Sequence, residues 1–323
     1  MSRESFRNHA DRLRANGIQA FREEFQQVKS RVTSQPGYKN RYTPPCEVVL
    51  SRNRYSDIRV LDDTRVKLQT NGNQDYINAS DITIDEIQEF KNIKYISAQA
   101  PLPEYFDEFW RMCWENEVPI IVMLTPWSEQ VENGRTRQKA NVYLPLAKTE
   151  TFSCRAFKIT CMDIEKRSTI HGATVRFLNI EHQGEARAIV HVLFVNWPDF
   201  GTVVDYESYI EFHKMVEELR AGTPYDKPTL VHCSAGIGRS GTFIAIDMLL
   251  KGAQLPDFVH FNVAMLVGHL RNRRPGMVFT VDQYSMIYEI IYYVLFKESF
   301  SHGTSTKVDQ MENDNDVYSR SLS

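Results

Sequence analysis

The sequence predicts a single α/β domain, and three observations carry that expectation. Residues 119–125 (Pro-Ile-Ile-Val-Met-Leu-Thr) form a continuous apolar run, the pattern of a strand buried on both faces. Segments 151–162 and 174–182 alternate apolar with polar residues, as strands with one wet face do. Residues 228–231 (Pro-Thr-Leu-Val), a glycine-rich turn and the apolar run 243–250 follow one another in the order strand, loop, helix.

Composition bounds the rest. With 323 residues, 42% hydrophobic and 24% charged, the chain can build one large domain with ordinary extensions, although length alone also permits two. A formal net charge of −3 gives no global basic signal, so nucleic acid is not an expected partner. Five cysteines (Cys46, Cys113, Cys154, Cys161 and Cys233) are scattered without a Cys-x2-Cys pair or metal spacing. Their odd number favours a reducing compartment. Residues 1–14 are polar, which argues against a signal peptide, and no uncharged apolar run reaches the ~18 residues of a membrane span. These features predict a cytoplasmic monomer.

Taken in order, residues 1–33 read as a helical extension, with Phe6, Leu13, Ile18, Phe21, Phe25 and Val28 at helical intervals and Gly17 as a break. Residues 33–45 read as loop. Residues 65–68 are strand-like, and residues 95–103 lead into a helix whose Phe106, Phe109, Trp110, Met112 and Trp114 are expected in the core. A third strand covers 188–195 after a turn at Gly184, and residues 206–220 form an amphipathic helix. Residues 258–273 and 284–296 predict two further helices, with Arg271 and Arg274 placed to cap carbonyls or brace a neighbouring loop. Residues 301–323 are polar and read as a disordered tail.

The chemistry concentrates in 231–242, Val-His-Cys-Ser-Ala-Gly-Ile-Gly-Arg-Ser-Gly-Thr. A glycine-rich loop between a strand and a helix start aims backbone N–H groups and the positive helix end at one point, where an anion fits. Cys233 and Arg239 flank that anion with a thiol and a guanidinium. A free thiol with a pKa near ~8.5 is only a few per cent thiolate at neutral pH, and lowering it by ~3 units takes roughly 4 kcal/mol. A helix terminus supplies at most ~2 kcal/mol, so loop N–H groups and the arginine must supply the rest.

The run His232-Cys233-Ser234-Ala235-Gly236-Ile237-Gly238-Arg239-Ser240-Gly241 resembles the signature of the cysteine-dependent protein tyrosine phosphatases. The resemblance extends from about residue 53 to 288. It implies one domain with a highly twisted mixed β-sheet flanked by helices, occupying 34–300 as the catalytic part. It also implies hydrolysis of phosphotyrosine in proteins through a phosphocysteine intermediate, with no metal or cofactor. Cys233 is then the nucleophile, Arg239 and the N–H groups of Ser234, Ala235, Gly236, Ile237 and Gly238 hold phosphate, and Ser240 assists departure of the thiolate. His232 orients the turn.

Further segments resemble the family's other landmarks. Asn-Arg-Tyr occurs at 40–42 and at 53–55, but only the second continues into Ser56-Asp57-Ile58, like the phosphotyrosine-recognition loop. Tyr55 then forms an aromatic wall that sets pocket depth, Asp57 accepts peptide N–H groups, and residues 75–80 support this loop. Trp197-Pro198-Asp199-Phe200-Gly201 resembles the general-acid loop. A tyrosine leaving group, with a pKa near ~10, needs a proton from Asp199, a contribution of about 10²–10⁴-fold. A proline usual after the glycine is replaced by Thr202-Val203-Val204.

Residues 132–145 carry departures as well, with Ala140 in place of a cysteine and Leu144 in place of a tryptophan. Here Glu132 matches a carboxylate that steadies the arginine, and Lys139 a lysine near the acid loop. The largest departure is Phe279, which stands where the family has the glutamine that orients the attacking water; Gln283 matches a second glutamine. Loss of that positioning group predicts dephosphorylation slowed roughly 10–100-fold. The competing expectation is a phosphotyrosine-binding, substrate-trapping protein with weak turnover. A phosphoinositide or phosphoserine phosphatase is disfavoured by Tyr55.

Overall fold

The computed structural model describes residues 2–69, 74–130, 135–166, 170, 172–198, 201–203, 205–224, 226–255 and 262–296. Its framework is a nine-stranded mixed sheet in the order β1-β2-β3-β11-β4-β10-β9-β8-β7. The strands are β1 (Arg65–Lys67), β2 (Tyr76–Asp81), β3 (Tyr95–Ala98), β4 (Ile120–Met123), β7 (Thr151–Ser153), β8 (Lys158–Glu165), β9 (Ala173–His182), β10 (Glu185–Phe194) and β11 (Thr229–His232). A small hairpin, β5 (Ser128–Gln130) with β6 (Thr136–Gln138), stands apart from it.

The four central strands β3, β11, β4 and β10 run parallel, and both wings are antiparallel. Parallel strands are covered on both faces, which explains the unbroken apolar runs: β3, β4 and β11 are buried at every position. Alternation within β4 divides the core. Ile120 and Val122 join one cluster, while Ile121 and Met123 join the other. The first cluster is closed by α5 (Tyr206–Ala221), α6 (Gly238–Ala253), α7 (Val263–Arg273) and α8 (Val281–Phe296); the second by α4 (Phe106–Glu115).

Parallel strands also present their carboxyl ends at one edge, where open α/β sheets place their sites. The segments after β3, β4, β10 and β11 therefore emerge together. These segments contain Gln99, Thr125, Trp197 and Cys233.

The segment 151–162 is not one strand. It divides into β7 and β8 around a turn at 154–157, and β8 carries a register shift between Cys161 and Asp163. The alternation breaks phase at both places, where the adjacent apolar pairs Ala156-Phe157 and Cys161-Met162 mark the turn and the bulge. Residues 33–45, read as loop, include a 3₁₀ turn at Tyr38–Arg41, and α3 (Glu47–Ser51) follows. Tyr42 packs edge-on against Tyr38 and bridges to Leu61, away from the sheet edge just described. Of the aromatic helix, Phe109, Trp110 and Met112 are buried, whereas Trp114 is half-buried beneath the Arg187 guanidinium. Residues 258–261 and 301–323 lie outside the described residues.

The N-terminal segment forms α1 (Arg3–Ala15) and α2 (Gly17–Thr33), broken where Gly17 takes φ +68°. Both pack on α8: Phe6 stacks on Tyr288 and Phe25 on Tyr284. Glu24 joins the three helices, because its Oε1 accepts from the Tyr284 and Tyr288 hydroxyls at 2.6 Å each and its Oε2 meets His9 Nε2 at 2.6 Å. Charge-assisted hydrogen bonds to a carboxylate contribute roughly 1.5–3 kcal/mol, and Glu24→Ala leaves two tyrosine hydroxyls orphaned. Urea unfolding should show a loss of about 2 kcal/mol for Glu24→Ala; an unchanged midpoint would mean that the joint contributes nothing.

Candidate active site

A loop that turns its N–H groups inward must turn its carbonyls outward, and each outward carbonyl needs a donor. Between β11 and α6 that accounting closes. His232 O accepts from Leu124 N and Ser234 O from Ala100 N, both at 2.9 Å. Gly236 O accepts from Ser97 Oγ at 3.0 Å and Arg274 Nε at 2.7 Å. Ala235 O accepts from Arg274 Nη2 at 3.0 Å, and Ile237 O from both Gly241 N and Val278 N at 3.0 Å. Gly236 has φ +68°, and a Cβ there would lie 2.1 Å from Ala98 O, so only glycine fits against β3.

Arg274 is fully buried, and desolvation lowers its pKa to about 10. Its charge is nevertheless retained at neutral pH, shared among Gly236 O, Ala235 O, Asn78 Oδ1 at 2.7 Å and Ser80 Oγ at 3.3 Å. This arginine braces the loop from behind.

Arg239, in the first turn of α6, is held on three sides. Its Nη1 donates to Thr125 Oγ1 at 2.8 Å and Leu124 O at 3.3 Å, its Nε to Pro198 O at 3.3 Å, and its Nη2 to Glu129 Oε1 at 2.5 Å. Glu129 Oε2 also lies 3.7 Å from the buried Lys139 Nζ. Among the described residues, the carboxylate on this arginine is Glu129, on β5; Glu132, which the resemblance matches to that role, lies outside the described residues.

His232 is fully buried and does not face the cleft as a base. Its Nδ1 lies 3.1 Å from Cys233 O, and its Nε2 lies 2.7 Å from Tyr143 Oη, which also lies 2.9 Å from His191 Nε2. Donor counting fixes the tautomers: Nδ1–H of His232 donates to the carbonyl, Tyr143 donates to His232, and His191 Nε2–H donates to Tyr143. His191 Nδ1 then has no partner among the described residues. Burial pushes His232 down to about 4 and His191 well below the usual range.

The cleft encloses about 640 Å³, open mouth included, and is lined by Cys233, Ser234, Ala235, Ile237, Gly238 and Arg239 with Tyr55, Asp57, Ile58, Arg137, Lys139, Phe279 and Gln283. Gly236 does not border it. Ser234 Oγ donates to Lys139 O at 2.7 Å, so Tyr55 Oη, 2.8 Å away, donates to Ser234. That fixes the tyrosine wall to the loop's first turn. Behind it, Asn53 Oδ1 accepts from Tyr76 Oη and Asn78 Nδ2, and Arg54 ties to Gln99, Ala100, Pro101 and Asn141.

Phe279 stands at the rim, 40% exposed, after Val278 with φ +57°, a strained conformation for a β-branched residue. That strain is held by Val278 N on Ile237 O and by Arg271 Nη1 on Met277 O and Val278 O. Gly238 and Gly241 permit the approach, since a Cβ on Gly241 would lie 2.5 Å from Val278 N. Thr280 and Gln283 form a capping box at the start of α8. Gln283 Oε1 accepts from both Phe279 N at 3.0 Å and Thr280 N at 3.3 Å, so the amide carbonyl is committed to the backbone.

Asp199 and Phe200 lie outside the described residues. On either side, Trp197 is fully buried with Nε1 donating to Gly201 O at 3.1 Å, and Pro198 O contacts Arg239. Ser240 Oγ is buried with no protein partner among the described residues. Donors with metal-ligand chemistry gather among the described residues at His213, Glu217 and Asp247, but Asp247 there already meets Arg220 at 3.1 Å and Lys251 at 3.3 Å. All five cysteines are free, and no described helix is long and apolar enough to cross a membrane.

The depressed histidines set a pH dependence. The unfolded chain takes up protons near ~6.5 while folded His232 waits until about pH 4, so stability is lost as pH falls through that window. Urea unfolding between pH 7 and 4.5 should show a flatter pH slope for His232→Asn than for the native chain. Equal slopes would show that His232 titrates alike in both states.

Residues 49–293 match the family model described as protein-tyrosine phosphatase. The chain is 32% identical over 295 residues to receptor-type tyrosine-protein phosphatase eta of Gallus gallus, covering 89% of this chain and 19% of that protein. It is 35% identical over 256 residues to tyrosine-protein phosphatase non-receptor type 9 of Homo sapiens, covering 75% of this chain and 41% of that protein. A solved PTPN18 structure, described as the basis of its fingerprint on distinct HER2 tyrosine phosphorylation sites, superposes with a TM-score of 0.74 at 26% identity, covering 90% of this chain and 99% of that one. The chain therefore spans less than half the length of either curated relative, yet the family match covers its own sheet, the loop 233–237 and residues 53–58. It belongs to the protein-tyrosine phosphatase family.

Proposed function

We propose that the chain hydrolyses phosphotyrosine in proteins through a phosphocysteine intermediate. The observation that carries this reading is Cys233 at the floor of a cleft whose loop carbonyls are tied outward, beside an Arg239 fixed by Glu129 and Thr125. In the first step the Cys233 thiolate attacks phosphorus; the S–P bond forms as the P–O bond to the aryl group breaks, and Asp199 protonates the leaving phenolate. Loop N–H groups and Arg239 stabilise the equatorial oxygens. Tyr55, bonded to Ser234, sets a wall that suits an aryl phosphate.

In the second step water attacks phosphorus, its proton passes to Asp199, and the S–P bond breaks with Ser240 donating to the departing thiolate. Beyond Asp199, neither rim position that resembles a family glutamine offers a free acceptor to orient that water. Phe279 offers none, and Gln283 Oε1 is already shared by two backbone N–H groups. Dephosphorylation therefore limits turnover. A nucleophilic thiol beside four other free cysteines supports a place in a reducing compartment such as the cytoplasm.

Rapid-quench kinetics with p-nitrophenyl phosphate should give a burst of one phenolate per protein, then a slower steady rate. Phe279→Gln should raise that steady rate roughly 10–100-fold with the burst unchanged. A linear time course would contradict a slow second step. A burst followed by no turnover would identify a phosphotyrosine-binding trap instead.

A further inference from the structure

We infer that Arg137, on β6, forms a subsite for an acidic side chain next to the phosphotyrosine; this rests on the phosphotyrosine reading above. Register carries the argument. Glu129 on β5 lies directly opposite Arg137, so both side chains leave the hairpin on the same face, the face that meets the phosphate loop. In an ordinary hairpin these opposite charges would pair. Here Glu129 is taken, with Oε1 on Arg239 and Oε2 facing Lys139.

Arg137 is left without an ion-pair partner within 4 Å among the described residues. Its guanidinium lies 5.8 Å from the centre of the Tyr55 ring, and it lines the cleft. The phosphate itself is served by Arg239 and the loop. Asp57, the exposed acid at the mouth, suits peptide N–H groups, so the unpaired cation is available to a substrate side chain. Because Tyr55 reaches Ser234 in the phosphate loop, a cation over its ring lies about one ring's length from the phosphate. In an extended peptide each residue advances about 3.3 Å, which puts the side chains one or two positions from the phosphotyrosine within reach.

The test uses phosphotyrosine peptides differing only by Glu or Gln at the two positions on each side. Both kcat/KM for the native chain and Kd for the Cys233→Ser background are measured. The Glu peptides should be preferred roughly fivefold at low salt, the scale of a solvent-facing ion pair, with the difference in KM and diminished at high salt. Arg137→Gln should bring the ratio close to one, Arg137→Lys should keep most of it, and Arg137→Glu should favour Lys-bearing peptides. No preference in the native chain would overturn the inference. So would Arg137→Gln weakening both peptides equally, which would mean that Arg137 only steadies Tyr55. Absence of turnover with the Kd ratio intact would overturn the phosphatase reading and still support the subsite.

Discussion

The site depends on the outward carbonyls of the phosphate loop. Inward N–H groups can hold an oxyanion only if the opposite dipoles are already satisfied; otherwise the loop relaxes toward water or rearranges. Buried Arg274 meets this constraint for Ala235 O and, together with Ser97, for Gly236 O, while Ala100, Leu124 and Val278 meet it for Ser234, His232 and Ile237. A guanidinium suits the task because its donors are fixed in a plane, and its desolvation is offset by four oxygen acceptors. The anion then finds its donors in place and no reorganisation is required when charge develops.

The donors for these carbonyls come from β3, from the segment after β4 and from the loop before α8, which explains why a parallel centre matters. Ala98 approaches Gly236, Leu124 meets His232, and Val278 meets Ile237. The N-terminal helices extend the same support one layer outward. Phe25 packs on Tyr284, beside Gln283, and lies under Arg271, whose guanidinium holds the backbone before Phe279. A perturbation of α2 thus has a short route to the rim of the cleft.

Much of this was legible in sequence for identifiable reasons. The apolar runs at 119–125 and 228–231 announced central strands, and the resemblance at 232–241 located thiol and guanidinium together. Local pattern could not show that Glu129 reaches Arg239, because that contact depends on how the 128–130 strand pairs with 136–138. It also missed Arg137, an ordinary hairpin charge until its cross-strand partner is known to be engaged. The Tyr143–His191 pair behind His232 joins residues distant in sequence, whereas the hairpin between β7 and β8 had a signal that was missed, the adjacent apolar pair Ala156-Phe157 that breaks the alternation. Conversely, the substitution at Phe279 was visible at once, while the commitment of Gln283 Oε1 to the backbone required geometry.

On the proposed mechanism, the loop is organised to accept phosphate readily, whereas its rim supplies little to release it. Calorimetric titration of vanadate into the native chain and into Arg274→Met, each first shown to be folded by circular dichroism, tests the bracing directly. The account predicts oxyanion affinity at least 10-fold weaker in the variant, with Cys233 and Arg239 untouched. Equal affinity in a folded Arg274→Met protein would contradict it, because the loop would then hold its shape without the donors assigned to its carbonyls.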